Sequence, residues 1–178
     1  NKTMKIADKI FDTDGRPYIM GILNVTPDSF SDGGQHNSLA SALAATEEMI
    51  GQGADIIDVG GESTRPGYTM ISDDEEIERT APIIEAIKKN FDVPVSLDTY
   101  KSAVAESGIK AGADLINDIW GLKYDKNMAG VIAKYDKACC IMHNRKNTDY
   151  TNYLDDVVAD LDESVKLAFA AGIDRDKI

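Results

Sequence analysis

The sequence predicts an α/β protein in which short parallel strands alternate with helices, and within that class a (β/α)8 TIM barrel represented by about five βα units. Three observations predict it. Aliphatic runs of strand length alternate with longer runs of helical period along the whole chain. The strand bodies are apolar, yet Asn24, Asp58, Asp98, Asn117 and His143 fall at or just past their C-terminal ends, the distribution expected when one rim of a barrel carries the chemistry. Finally, Gly53-Ala54-Asp55-Ile56-Ile57-Asp58 recurs as Gly112-Ala113-Asp114-Leu115-Ile116-Asn117, twice giving a helix stop that feeds a strand ending on a polar side chain. An open doubly wound sheet is the competing architecture, although no dinucleotide-type glycine fingerprint follows the first strand.

The elements follow in order. A hairpin is predicted around Asp14-Gly15, then a strand over 18–24, a helix over 38–52 and a strand over 55–59. A helix over 73–89 is marked by the capping box of Ser72 and Glu75, and Pro82 is expected to bend or split it. Next come a strand over 94–98, a helix over 101–111, a strand over 114–117, a helix over 127–134, a strand over 138–142 and a helix over 153–171. Gly53, Gly112 and Gly172 each follow a helix where a left-handed residue is wanted. Strands this apolar and short, separated by helices, belong to a covered parallel sheet.

Composition narrows the function. With 178 residues, 43% of them hydrophobic, and 5 prolines, the chain can bury a substantial core and reads as one domain over 1–178. The 19 basic and 31 acidic residues give a net charge of -12, which disfavours nucleic acid and anionic membrane surfaces as partners. No apolar run approaches the roughly 20 residues of a membrane span, and the N-terminus lacks the layout of a secretion signal, so a cytoplasmic protein is expected. Cys139 and Cys140 are adjacent on a strand, should point to opposite faces, and are read as two reduced structural thiols.

The run from Met20 to Gly34 is unusual. An apolar strand ends on Asn24 and feeds a loop crowded with Thr26, Asp28, Ser29, Ser31 and Asp32 before two glycines, a composition that presents side-chain oxygens. This run resembles the signature of the dihydropteroate synthase family of pterin-binding enzymes. Gly60-Gly61-Glu62-Ser63-Thr64-Arg65-Pro66-Gly67 is similar to the family's second loop. The resemblance implies a TIM barrel and a transferase of folate biosynthesis that condenses p-aminobenzoate with a dihydropterin methyl diphosphate and releases diphosphate.

Carried over by position, the resemblance implies that Asn24 binds Mg²⁺, a hard cation that keeps several waters and takes phosphate oxygens. It implies that the loop of Asp28 closes over the reacting groups, that Asp28 and Arg65 are catalytic, that Arg65 and Pro66 help form the p-aminobenzoate and diphosphate region, and that Thr64 contacts the pterin diphosphate, with Ser63 among the substrate-binding positions. Asp98 and Asn117 match pterin-contacting positions, with Ile119 just beyond. A carboxylate and an amide at neighbouring strand ends can read the adjacent donors and acceptors of an amino-pyrimidinone edge. Asp98 is also placed to cap the following helix, and Asp118 to serve as a structural acid. Met142 would wall the pterin slot; His143 is expected to be held locally, and Trp120 borders the pocket or packs.

The Asn144-Arg145 pair departs from the family pattern. So does the absence of counterparts for a further pterin-binding acid, a lysine, and the arginine and histidine that hold diphosphate. A full barrel takes about 250 residues, so the sequence reads as the first two-thirds of the enzyme, cut as a sixth strand begins. Such a piece is expected to be inactive and poorly soluble alone; the full-length protein is expected to be a homodimer. A noncatalytic pterin-binding remnant and a pterin-dependent corrinoid methyltransferase stay open as alternatives.

Overall fold

The computed structural model describes residues 3–26, 35–62 and 69–178, with the side chains of residues 35–38 left aside. The described elements are strands β1 (Thr3–Ile6), β2 (Lys9–Asp12) and β3 (Met20–Asn24), helix α1 (Gln35–Gly51), strand β4 (Ile56–Gly60) and helix α2 (Asp73–Asn90). They continue with β5 (Val95–Asp98), α3 (Ser102–Ala111), β6 (Leu115–Asp118), α4 (Met128–Lys134), β7 (Ala138–Ile141) and α5 (Tyr153–Ala171), before a closing 3-10 turn, Arg175–Lys177.

Five strands form one parallel sheet in the order β3-β4-β5-β6-β7. Each new strand is added on the same side of the last, so the reversal of order that defines a doubly wound sheet does not occur. The two faces of the sheet are covered differently. Leu23, Val59, Leu97, Ile116 and Cys139 form one rung of the register, and all five are buried in the large cluster that also holds Ile84, Ile87, Val104, Ile109 and Ile132 of the helices. On the opposite face, Ile56, Leu115 and Ala138 pack with Ile6 and Phe11 of the β1-β2 ribbon, which plugs the end of the curved sheet at which the strands begin. Helices outside, a lumen inside and a plug at the N-terminal end are the parts of a barrel wall.

The repeated Gly-Ala-Asp motif now has a physical role. Asp55 Oδ2 accepts the backbone N–H of Ile19 at 2.8 Å and pairs with Arg16, whose Nη2 lies 2.7 Å from Oδ1. Asp114 Oδ2 accepts the N–H of Val95 at 2.9 Å and pairs with Lys88 Nζ at 2.8 Å. In both cases the aspartate ahead of one strand satisfies an amide at the start of its parallel neighbour, setting the register that the rim depends on.

Several local expectations hold. Gly53, Gly112 and Gly172 have φ of 106°, 118° and 97°, and the Ser72 hydroxyl accepts from Glu75 N at 3.1 Å. The carboxylate of Glu75 pairs with Arg79 at 2.5 Å in place of the return bond of a capping box. Cys139 is buried and Cys140 exposed, both as free thiols.

Three expectations are corrected. The hairpin turns at Ala7-Asp8, with Ile6 opposite Lys9 and Ala7 at φ 58°. Asp14-Gly15 instead forms a turn closed by Gly15 N to Asp12 O at 3.2 Å, after β2 and outside any strand pair. Helix α1 begins at Gln35, three residues before the expected 38. Of the two outcomes expected at Pro82, the split does not occur: α2 runs unbroken over 73–90 with Ile83, Ile84 and Ile87 buried around the proline, and tertiary burial outweighs the one missing hydrogen bond.

Gly108 of α3 marks a close approach of helix to sheet, since a Cβ there would sit 2.2 Å from Leu97 Cδ2, with Ile84 Cδ1 at 3.5 Å. In the full-length protein, Gly108→Ala should lower stability by about 1–3 kcal/mol through overpacking. Gly130→Ala on α4 meets nothing within 4 Å and should raise it by about 0.5–1 kcal/mol. Urea midpoints of the two variants check both signs.

Candidate functional site

Side chains of a parallel sheet that share a rung point to the same face. The lumenal rung at the C-terminal rim runs Asn24, Gly60, Asp98, Asn117 and Cys140 without a break across all five strands. The next lumenal rung inward is Ile22, Asp58, Ser96, Leu115 and Ala138. Polarity thus grades from an apolar plug at the bottom, through Asp58 and Ser96, to a rim that carries Asn24, Asp98 and Asn117.

Asp58 is buried at 3% exposure and accepts a 2.7 Å hydrogen bond from Ser96 Oγ. Burial pushes its carboxyl up to about 6, against the opposing hydrogen bonds from Ser96 and Asn117. Asp98 is pushed higher, to about 7, by burial first and then by the charges of Asp58, Glu76, Asp118 and Glu62. Among the described residues no side chain or amide donates to the Asp98 carboxylate. Beside it on the rung, Asn117 Oδ1 is buried with no hydrogen-bond partner among the described residues. An unsatisfied buried acceptor costs about 1–3 kcal/mol. Two acceptors left open side by side at a rim are a recognition surface for a ligand that brings donors.

The other predicted positions divide clearly. Asn24 ends β3 as an exposed residue, and its Oδ1 and Asp98 Oδ2 flank Gly60, lying 3.8 and 3.6 Å from where a Cβ on that glycine would be. Any side chain at position 60 would fill the gap between the two oxygens. Met142 is 50% exposed, with its amide bonded to Asp118 O at 3.2 Å; Ile119 is half-buried in the turn after β6. Asp28, Ser63, Thr64, Arg65 and Pro66 lie outside the described residues.

The structural alternatives resolve as well. Asp98 does not cap α3, whose first amide, Ser102 N, is held by Asp125 Oδ2 at 2.8 Å. Asp118 is fully buried and accepts from Trp120 N at 2.8 Å and Leu122 N at 3.0 Å, which orders the β6 turn; burial pushes it up to about 6. Trp120 packs on Tyr124, ring centroids 6.3 Å apart. His143 Nε2 lies 2.8 Å from Asp160 Oδ2, on which Arg145 also converges. The histidine is therefore held locally, and Arg145, with its guanidinium 4.4 Å from the Tyr150 ring, straps the β7 loop to α5.

Sequence reasoning missed two features. Asp58 was visible as a strand-end acid, but its distance below the rim emerges only from register. The other is a buried cluster in which Lys101 meets Glu62 and Glu76; its members are far apart in the chain and no local motif announces them. A hollow of about 520 Å³, lined by Ala7, Asp8 and residues 88–92, lies at the opposite end of the sheet and contains none of these groups.

Residues 20–178 match the model of the pterin binding enzyme family. The chain belongs to that family. It is 59% identical to the dihydropteroate synthase of Clostridium beijerinckii over 98% of this chain and 65% of that protein. Against the dihydropteroate synthase of Bacillus subtilis the identity is 55% over 90% of this chain and 56% of the relative. Among solved structures, dihydropteroate synthase of Clostridium difficile in the presence of pteroic acid superposes with a TM-score of 0.92 at 50% identity, over 94% of this chain and 64% of that one. The Xanthomonas albilineans dihydropteroate synthase with 4-aminobenzoic acid gives 0.88 at 37% identity, over 99% and 64%. The chain therefore spans less than two thirds of these relatives, and its sheet is an incomplete TIM-type barrel.

The carboxyl of Asp98 supplies a test of the rim's electrostatics. Its folded value near 7 lies above the roughly 4 of an unfolded aspartate, so ionisation penalises the native state as pH rises through that window, and fully above it. In the ligand-free full-length protein, Asp98→Asn should raise the melting temperature by several degrees at pH 8, with the gain vanishing below pH 4. Melting curves across that range check the sign.

Proposed function

We propose that the full-length protein is a dihydropteroate synthase: the aromatic amine of p-aminobenzoate attacks the methylene carbon of a dihydropterin methyl diphosphate, the carbon–oxygen bond breaks, diphosphate leaves, and the amine loses one proton. The observation that carries this reading is the pair of unpartnered lumenal acceptors, Asp98 and Asn117 Oδ1, in a chain of the pterin-binding family. Their partners would be the amino and ring N–H donors of the pterin. Ile119 and Met142 would bound the ring, and residues 1–178 would be the larger part of one pterin-binding domain.

Diphosphate needs positive charge, and the described rim rung offers one carboxylate, two amides and a thiol. Arg65 and Mg²⁺ are proposed to supply it, with Ser63, Thr64 and Pro66 shaping the same region and Asp28 on the other loop. Among the described residues no group of three or more His, Cys, Asp or Glu side chains could hold a metal. That donor set still suits Mg²⁺ bound through one hard amide oxygen, since this ion keeps several waters and takes substrate phosphate oxygens. Asn24, beside the open space above Gly60, would hold it; the bound ion would neutralise charge on the departing diphosphate.

No described helix is long and apolar enough to cross a membrane, and a cytoplasmic homodimer is proposed. The reading is tested with full-length protein, p-aminobenzoate, the pterin diphosphate and Mg²⁺. Dihydropteroate and diphosphate should form in equal amounts, and pterin binding without turnover would favour the noncatalytic alternative. Asp98→Asn should weaken pterin binding by about 10- to 100-fold, the worth of one charge-assisted hydrogen bond.

Cys140, on the rung beside Asn117, provides a separate check. Cys140 is exposed, yet partial desolvation, and then the charges of Asp58 and Asp98, raise its thiol pKa, so alkylation should be slow for an exposed thiol. Bound pterin should slow it further, read by mass spectrometry of the peptide containing Cys139 and Cys140.

A further inference from the structure

One lumenal acid is assigned no contact with substrate. Asp58 stands on the rung below the rim, opposite Ser96, whose Oγ donates to Asp58 Oδ1 at 2.7 Å. Both residues are buried, Asp58 at 3% and Ser96 at 0% exposure. Two residues further along β4 comes Gly60, so no side chain of that strand stands between the Asp58 carboxylate and the rim. The carboxylate reaches across to β6, where it is a side-chain hydrogen-bond partner of Asn117.

That contact decides which end of the Asn117 amide is spoken for. The two ends of an asparagine amide are alike in shape and opposite in hydrogen bonding, so a rim amide with a free choice could present either a donor or an acceptor. An ionised carboxylate only accepts. Its partner on Asn117 is therefore the Nδ2 group, the one donor of that side chain. Oδ1 is the end left over, buried and with no hydrogen-bond partner among the described residues. A buried carboxylate at this depth is costly where an apolar side chain would pack as well. What it adds is direction, because the Ser96 hydroxyl orients the acid and the acid orients the amide.

We infer that Asp58 is a positioning residue that sets ligand specificity: held by Ser96, it fixes the Asn117 amide with Oδ1 as the free acceptor, so that the rim selects a ring edge bringing donors over one bringing acceptors. Asp58 acts through Asn117 and not on the ligand. This inference rests on the pterin-binding part of the synthase reading.

The test compares two ligands on full-length protein at pH 8, where Asp58 is ionised: a dihydropterin without diphosphate, and its analogue with a ring oxo group in place of the amino group, which turns a donor into an acceptor. Wild-type protein should prefer the amino compound by about tenfold or more, the worth of a matched over an opposed hydrogen bond. In Asp58→Asn the introduced carboxamide can donate to Asn117 Oδ1 and let the amide reverse, so the preference should fall to within about threefold. Asp58 also acts on Asp98 by charge, and that contribution would persist without Asn117. In an Asn117→Ala background, Asp58→Asn should move the preference by no more than about twofold. Equal loss of affinity for both ligands, no preference in the wild type, or an equal fall in the Asn117→Ala background would overturn the inference. A readout without ligand is the proton spectrum of isotope-labelled asparagine, in which one Asn117 side-chain amide proton should lie downfield and move upfield in Asp58→Asn. If wild-type protein binds neither compound, the function reading fails by itself, and an Asn117 resonance that Asp58→Asn leaves in place refutes the positioning role. Should Asp58→Asn not fold, Ser96→Ala keeps the charge and removes one bond to it; the preference should then fall by about two- to fivefold, and an unchanged preference refutes the inference.

Discussion

Everything at the rim depends on the register of the parallel strands. The two Gly-Ala-Asp corners set it by giving each neighbouring strand a carboxylate for its first free amide. From that register the period-2 alternation of the backbone follows. One rung delivers Leu23, Val59, Leu97, Ile116 and Cys139 to the helices, and the next delivers Asn24, Gly60, Asp98, Asn117 and Cys140 to the lumen. A slip of one residue in any strand would exchange a buried aliphatic for a buried polar group. The core under the helices and the polar rim are thus two outcomes of one constraint, and stability and recognition are set together.

The electrostatics follow from the same placement. Asp58 and Asp98 share the lumenal face with no cationic partner among the described residues, and burial drives both upward. The buried lysine nearest in sequence, Lys101, is committed to Glu62 and Glu76. The described part of the rim is left acceptor-rich and poor in positive charge, the complement proposed for the amino-pyrimidinone edge of a pterin; Arg65 and a metal are proposed for the anionic leaving group.

Much of this was legible in the sequence because it rests on local rules. Apolar runs announced β3 to β7, glycines marked the ends of α3 and α5, and Asn24, Asp98 and Asn117 declared themselves as polar residues closing aliphatic strands. The barrel needed strand order to be told from a doubly wound sheet, and order is a property of pairing that periodicity does not carry. Asp14-Gly15 looked like a hairpin turn because it has turn chemistry; the true turn at Ala7-Asp8 places a non-glycine residue at positive φ. Pro82 looked disruptive because its cost is local and its compensation is tertiary. The Lys101 cluster was invisible for the same reason, joining residues 39 positions apart.

The central claim is that Asp98, held near neutrality by burial and by neighbouring acids, ionises as it takes up the donor edge of a pterin. Calorimetry measures this directly, by titrating the full-length protein at pH 7 with a dihydropterin that lacks the diphosphate, in two buffers of different ionisation enthalpy. A carboxyl with a value near 7 predicts release of about half a proton per pterin bound, and none from the Asp98→Asn protein. Binding with no proton release, or with the same release in both proteins, would contradict it.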